Sequence, residues 1–313
     1  MIGESLQRVV AEEISAAIEL LAKLSEANAL HNTHEARRRF KKTRALLRMI
    51  RGEVGEEAFA AENARFRDAG RRLRDLRDSQ SLLKTLDAVS GRFFERRPAL
   101  AAHARRLFMD DERRRLEHVT QPGAGDGLLA ALEAALARSR QWNLKAFRWK
   151  EARRAIERLY KHARAARKTA GAKRSAETLH EWRKRVKDLW LHAGLLHKAC
   201  PRFLKEFAHE LEVLADFLGD DHDLAMLSAA LEERREVLKR PRQFAALQKM
   251  IAVRKGELID TALDLGERLF EERPAEFGRG LNRKRASHRR TKRKTKKLAA
   301  RLTLGKRGAT GSG

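Results

Sequence analysis

The chain has 313 residues, 42% hydrophobic and 36% charged, which is enough apolar material to bury a core and too much for a chain disordered throughout. Its 70 Lys and Arg outnumber 43 Asp and Glu, a formal net charge of +27, so the surface concentrates anions before any specific contact forms. The single cysteine, Cys200, excludes an intrachain disulfide and reads as a small buried apolar residue. Acids at Glu4, Glu12 and Glu13 interrupt any apolar leader, and no later apolar run reaches membrane length; the expected compartment is the cytoplasm.

In chain order, apolar residues recur at helical spacing over Ile2–Leu24, Phe40–Ile50 and Phe59–Leu76, with charges on the opposite faces. Gln121-Pro-Gly-Ala-Gly-Asp-Gly127 is rich in helix breakers and predicts a linker, and a second break falls near Gln141–Leu144. Helical patterning resumes over Phe147–Lys168, Ser175–Lys198, Arg202–Leu218, Asp221–Leu238 and Arg242–Glu272. Gly219 reads there as a helix C-terminus, and Asp220 and Asp221 as acids at the next helix start. Good helix formers dominate and no alternating β-type run occurs, so the predicted class is all-α. Residues 282–313 hold thirteen Lys or Arg and no acid, ten of them between Arg283 and Lys297, the composition of a disordered tail. Removing those thirteen cations from +27 still leaves +14 on residues 1–281. The expected division is a first helical half over 1–120, a linker over 121–127, a second half over 128–281 and the tail over 282–313.

The two halves repeat each other. Thr33-His-Glu-Ala-Arg-Arg-Arg-Phe-Lys41 aligns with Leu179-His-Glu-Trp-Arg-Lys-Arg-Val-Lys187 at an offset of 146, and Leu76-Arg-Asp78 falls opposite Asp221-His-Asp223 at 145. On a helix, His34, Arg37, Lys41, Arg44 and Arg48 fall within an arc of roughly 80°, a single stripe about 21 Å long. His180, Arg183 and Lys187 repeat its first three rungs before the stripe turns apolar at Trp190 and Leu191. A solvated helix face mixes signs and pairs Glu with Lys; stripes without acids, occurring twice in register, predict an anion-binding surface. Arg offers a planar fork for phosphate oxygens and Lys a point charge, so a mixed lining can hold a flexible anionic chain in many registers.

His-x-x-Arg-x-x-x-Lys opening each half, with Arg-Asp or His-Asp about forty residues later, resembles the CHAD family, the conserved-histidine α-helical domain, over roughly residues 1–275. Leu159-Tyr160-Lys-His-Ala-Arg164 also resembles a family segment preceding the second of these helices. The resemblance implies two four-helix halves related by a pseudo-twofold axis around a basic cavity that binds inorganic polyphosphate, often at polyphosphate granules. On that reading Arg37, Lys41, Arg44, Arg183 and Lys187 hold the anion, with Arg48 and Lys184 in the lining and His34, His180, Tyr160 and Arg164 in support. No strand pattern for a fused triphosphate tunnel domain is present, so the resemblance implies a stand-alone member.

Two other readings have residues in their favour. His222-Asp223 resembles the metal-binding dipeptide of HD-type phosphohydrolases, with His34 or His180 and Asp264 as further ligands. The first half carries Arg77 at the matching position, however, and an arginine cannot ligate a metal. His31-x-x-His34 has ligand-like spacing with no thiolate or clustered carboxylate beside it. There is no phosphate-cradling glycine loop and no nucleophile elbow, so no catalytic residue, metal or cofactor is expected. The Arg283–Lys297 run would bind duplex nucleic acid nonspecifically, which makes nucleic acid the alternative partner. Trp142, Trp149, Trp182 and Trp190 sit among apolar neighbours and are expected in the core.

Overall fold

The computed structural model describes residues 2–93, 98–121, 123, 125–197, 201–238, 240–287 and 290, and among them every regular element is a helix. In chain order these are α1 (Ile2–Ala22), α2 (Ala29–Met49), α3 (Arg51–Val54), α4 (Glu56–Arg72), α5 (Arg74–Phe93), α6 (Pro98–Thr120), α7 (Asp126–Arg140), α8 (Trp149–Lys173), α9 (Ala176–Leu196), α10 (Pro201–Glu232), α11 (Arg235–Leu238), α12 (Pro241–Leu269) and a last helix, α13, over 274–287. None is long and apolar enough to cross a membrane. Cys200 and most of the tail lie outside the described residues.

Local signals set the boundaries around the second repeat. Glu151 reaches back so that its carboxylate accepts the Arg148 backbone N–H at 3.1 Å, fixing the start of α8. That helix ends at Arg174, in the left-handed region at φ 47°, and Ser175 then caps α9 by accepting the Thr178 N–H at 3.2 Å.

The repeat seen in sequence is carried into the element order. α1, α2, α4 and α6 begin at residues 2, 29, 56 and 98, and α8, α9, α10 and α12 at 149, 176, 201 and 241, offsets of 147, 147, 145 and 143. Pairings match as well: α1 packs on α2, α2 on α4 and α5 on α6, as α8 packs on α9, α9 on α10 and α10 on α12. Between the halves like meets like, α2 against α9 and α5 against α10, an arrangement consistent with a pseudo-twofold. The halves also differ, for α10 runs unbroken through 32 residues where the first half has two helices separated at Leu73.

Three sequence expectations change. Gly219 does not end a helix: α10 passes through it, because an interior glycine costs only about 1 kcal/mol against the burial of Leu214, Leu218, Leu224 and Leu227 on either side. α7, placed by sequence in the second half, packs on α1 and α4 and so belongs by contact with the first. Residues 282–287, assigned to a disordered tail, continue α13. Phe277 stacks on Tyr160 with centroids 4.1 Å apart, the Trp149 indole donates to Asn282 Oδ1 at 2.9 Å, and Lys284 lies 3.3 Å over the Phe203 ring. Aromatic anchors there outweigh the charge repulsion that composition registers.

Both apolar cores draw on both halves. The larger joins Leu6, Phe40 and Phe66 to Tyr160, Trp182 and Leu281; the smaller joins Leu86 and Phe108 of α5 and α6 to Leu227, Phe244 and Leu258 of α10 and α12. Trp182 is fully buried, and Trp142, Trp149 and Trp190 pack against the larger core from partly buried positions, as their apolar neighbours predict.

Candidate functional site

Where the halves meet, α2, α4, α5, α9 and α10 enclose a cavity of about 440 Å³, within the roughly 300–1,000 Å³ usual for ligand sites. Its apolar floor is made by Phe40 and Phe66, both 2% exposed, with rings 6.0 Å apart. The walls are cationic: α2 contributes Arg37, Lys41 and Arg44, α4 contributes Arg67 and Arg71, α5 contributes Arg74, and α9 contributes Arg183. Two carboxylates, Asp78 and Asp223, face these seven cations. They occupy equivalent places in the two halves and each has a partner, Asp78 accepting from Arg74 Nε at 3.0 Å and Asp223 from the Ser81 hydroxyl at 2.9 Å. The Ser81 bond ties α5 to α10 across the halves.

Several cations are fixed in place. Arg37 donates to the Gly70 carbonyl near the end of α4, and Arg44 Nε donates to Asn63 Oδ1 at 3.0 Å. Burial, then Arg48, Arg67 and Arg71, push the Arg44 guanidinium below its ordinary value against the opposing pull of Asp188. His180 and His222 complete the wall, their rings 4.9 Å apart. Burial and then the neighbouring Arg183 push the His222 imidazole down to about 4, and desolvation with Arg183 and Lys184 lowers that of His180.

Of the residues singled out in sequence, the cavity gathers Arg37, Lys41, Arg44, His180 and Arg183. Lys187 lies half-buried one turn beyond Arg183, outside the lining, and still adds positive potential at His222. His34 sits one turn before Arg37, also outside the lining, and the exposed Lys184 pairs with Glu181 at 2.7 Å. Tyr160 is 1% exposed and donates to the Glu272 carbonyl at 3.0 Å, while Arg164 Nε donates to the Phe270 carbonyl at 2.8 Å. Those two hold the link between α12 and α13 against α8. Sequence reasoning passed over Arg67, Arg71 and Arg74, although their +4, +3 spacing matches the stripe on α2; Asp68 pairs with both Arg67 and Arg71. His222 and Asp223 are in the cavity wall, and among the described residues no group of three or more His, Cys, Asp or Glu could hold a metal ion.

Arg48 belongs to a second cavity, of about 560 Å³, between α2, α3, α8 and α9, where it pairs with Asp188 at 2.6 Å. His192 lies buried beside it, with Nδ1 2.8 Å from the Asp188 carbonyl. Burial, with Arg48 and Arg158, pushes this imidazole down to about 4. A histidine held neutral in the fold contributes stability above its unfolded value near 6.5 and loses it as pH falls from there toward the folded value. The thermal midpoint of the ligand-free protein should therefore fall between about pH 7 and pH 5, with part of the slope removed by His192→Gln. Differential scanning calorimetry across that range checks this, and a pH-independent midpoint would contradict it.

The CHAD-domain family model matches residues 9–232. The fold is similar to the crystal structure of the CHAD domain from the plant Ricinus communis, with a TM-score of 0.62 and 14% identity over 85% of this chain and 91% of that one. A search of curated proteins found no match.

Proposed function

Since the chain belongs to the CHAD-domain family, we propose that it binds inorganic polyphosphate in the cavity between its halves, in the cytoplasm and at polyphosphate granules, as a binding protein without catalysis. The observation that carries this reading is the convergence of seven Lys and Arg from four helices on one cavity of about 440 Å³. Arg37, Lys41, Arg44, Arg67, Arg71, Arg74 and Arg183 are the proposed ligands, with His180 and His222 beside them. A linear chain of phosphates has the cross-section of one phosphate and charge at every unit, so it can enter such a space and meet several guanidinium forks in succession. A nucleic-acid duplex carries its phosphates outside a stack of bases and meets only the rim. Neither floor ring is placed as a stacking platform, since Phe40 and Phe66 are both almost fully buried.

Nucleic acid remains the second reading, favoured by the Arg283–Lys297 run. The two readings separate by truncation. Because α13 extends to residue 287 and anchors on Tyr160 and Trp149, the cut belongs after Ser287 and not after Leu281. A chain of residues 1–287 should keep its polyphosphate affinity within a few-fold while losing much of its duplex binding, because the ten Lys and Arg removed would add encounter rate and avidity for any polyanion alike. Competition of labelled polyphosphate against duplex DNA and RNA, at matched phosphate concentration and one salt concentration, reads the ratio for both chains. Loss of polyphosphate binding on truncation would give the function to the tail.

A further inference from the structure

Two imidazoles stand in a lining whose cations are seven Lys and Arg. His180, one turn before Arg183 on α9, and His222, beside Asp223 on α10, come from different helices to stand 4.9 Å apart at the same cavity. The groups facing them are mostly cationic. α9 supplies Arg183, Lys184 and Lys187, α5 supplies Arg74, and α2 lines the same space with Arg37 and Lys41. The nearby acids have partners: Glu181 pairs with Lys184 and Arg185, Asp78 with Arg74, and Asp223 with the Ser81 hydroxyl. α12 reaches this part of α10 with Lys255, which lies 3.8 Å from Asp221.

We propose that the His180–His222 pair takes up a proton when a polyanion enters the cavity, so that the protein grips polyphosphate more tightly as the medium becomes more acidic. This inference rests on the polyphosphate reading of the cavity. Without a polyanion, desolvation and the surrounding cations disfavour the charged form of both rings. Phosphate oxygens reverse that balance: they offset the neighbouring guanidinium charge and offer acceptors to an imidazolium N–H, a charge-assisted bond that the neutral ring cannot match. By linkage, a ligand that favours the protonated ring is itself bound better when the ring is protonated, by the same factor. Mutual repulsion across 4.9 Å disfavours charging both rings, so the pair behaves as a one-proton device. One proton limits the response to roughly tenfold in affinity per pH unit. The internal phosphoryl groups of a long polyphosphate stay ionised throughout the range, so with long chains the pH dependence belongs to the protein.

The test is titration calorimetry of the full chain with long-chain polyphosphate at pH 5.5, 6.5 and 7.5, each in two buffers of different ionisation enthalpy, which yields affinity and protons taken up per binding event. Wild type should take up a fraction of a proton at pH 6.5 and bind roughly tenfold or more tighter at pH 5.5 than at pH 7.5. In His180→Gln/His222→Gln the ratio of affinities between pH 5.5 and 7.5 should collapse toward one, whatever the absolute affinity. Lys41→Gln, which removes a permanent charge, should weaken binding at every pH and keep the ratio. Binding by wild type with no proton uptake and no pH dependence overturns the inference and leaves the polyphosphate reading standing. Equal uptake by the double variant overturns the assignment to this pair, and no binding at any pH overturns both readings. The wild-type proton count needs no variant, so a misfolded double substitution leaves the inference open to refutation.

Discussion

Arg37→Glu combined with Arg183→Glu should cost at least 100-fold in polyphosphate affinity. The two guanidinium groups stand on opposite halves, on α2 and α9, and line the same cavity. Each charge-assisted bond to a phosphate contributes about 1.5–3 kcal/mol, so losing two removes about 3 kcal/mol or more before the repulsion from two new carboxylates is counted. The fold should persist with a small penalty. Arg37 also donates to the Gly70 carbonyl, and losing that bond costs about 1 kcal/mol of stability. A control matched for net charge, Arg113→Glu with Arg235→Glu, alters exposed residues of α6 and α11 away from the cavity. Equal loss in the control and the cavity variant, measured by fluorescence anisotropy with circular dichroism as the check on folding, would mean that net charge alone drives binding.

Salt should have an effect of similar size. With seven cations around the cavity, engagement of about six phosphates is the expected scale; using the coefficient known for single-stranded polyanions, the logarithm of affinity then falls against the logarithm of salt with a slope near −4. Between 50 and 200 mM monovalent salt, that is a loss of roughly 300-fold. A slope near −1 would restrict the contact to one or two phosphates at the rim and would leave the interior of the cavity out of the binding event.

How far the site could be read from sequence depended on which physical constraint fixed each residue. The class was legible because the apolar period marks the buried face of a helix, and α1, α8, α9 and α12 begin and end near where that period does, while α2 begins at Ala29, well before the period read from Phe40. Arg37, Lys41 and Arg44 could be placed together because a single helix fixes their relative positions. Arg48 shares that stripe and still leaves the cavity, since the stripe is longer than the space it lines; one turn beyond Arg44 it meets Asp188 instead. Tyr160 and Arg164 were linked to the anion only through a resemblance, and the geometry gives them to the α12–α13 connection. Arg67, Arg71, Arg74 and His222 needed tertiary information. Nothing in α4, α5 or α10 alone says that their faces close on the same cavity as α2 and α9. Gly219 misled for a related reason, because local propensity is weak beside the burial that carries α10 through it.

The sharing of both apolar cores between the halves bears on how fast a ligand is captured. A cleft between separately packed lobes can open on a hinge, and its on-rate then waits for the competent state. Here Phe40 and Phe66 from one half and Trp182 from the other belong to one continuous core, and the Ser81–Asp223 bond closes the join. The cavity is thus bounded by parts of one packed core, with its Lys and Arg already in its lining. On the proposed function, capture should then be governed by the field of a protein carrying +27, which would draw a polyanion in at a steered, diffusion-like rate, with residence time set by how many phosphates must let go together before the chain can slip out.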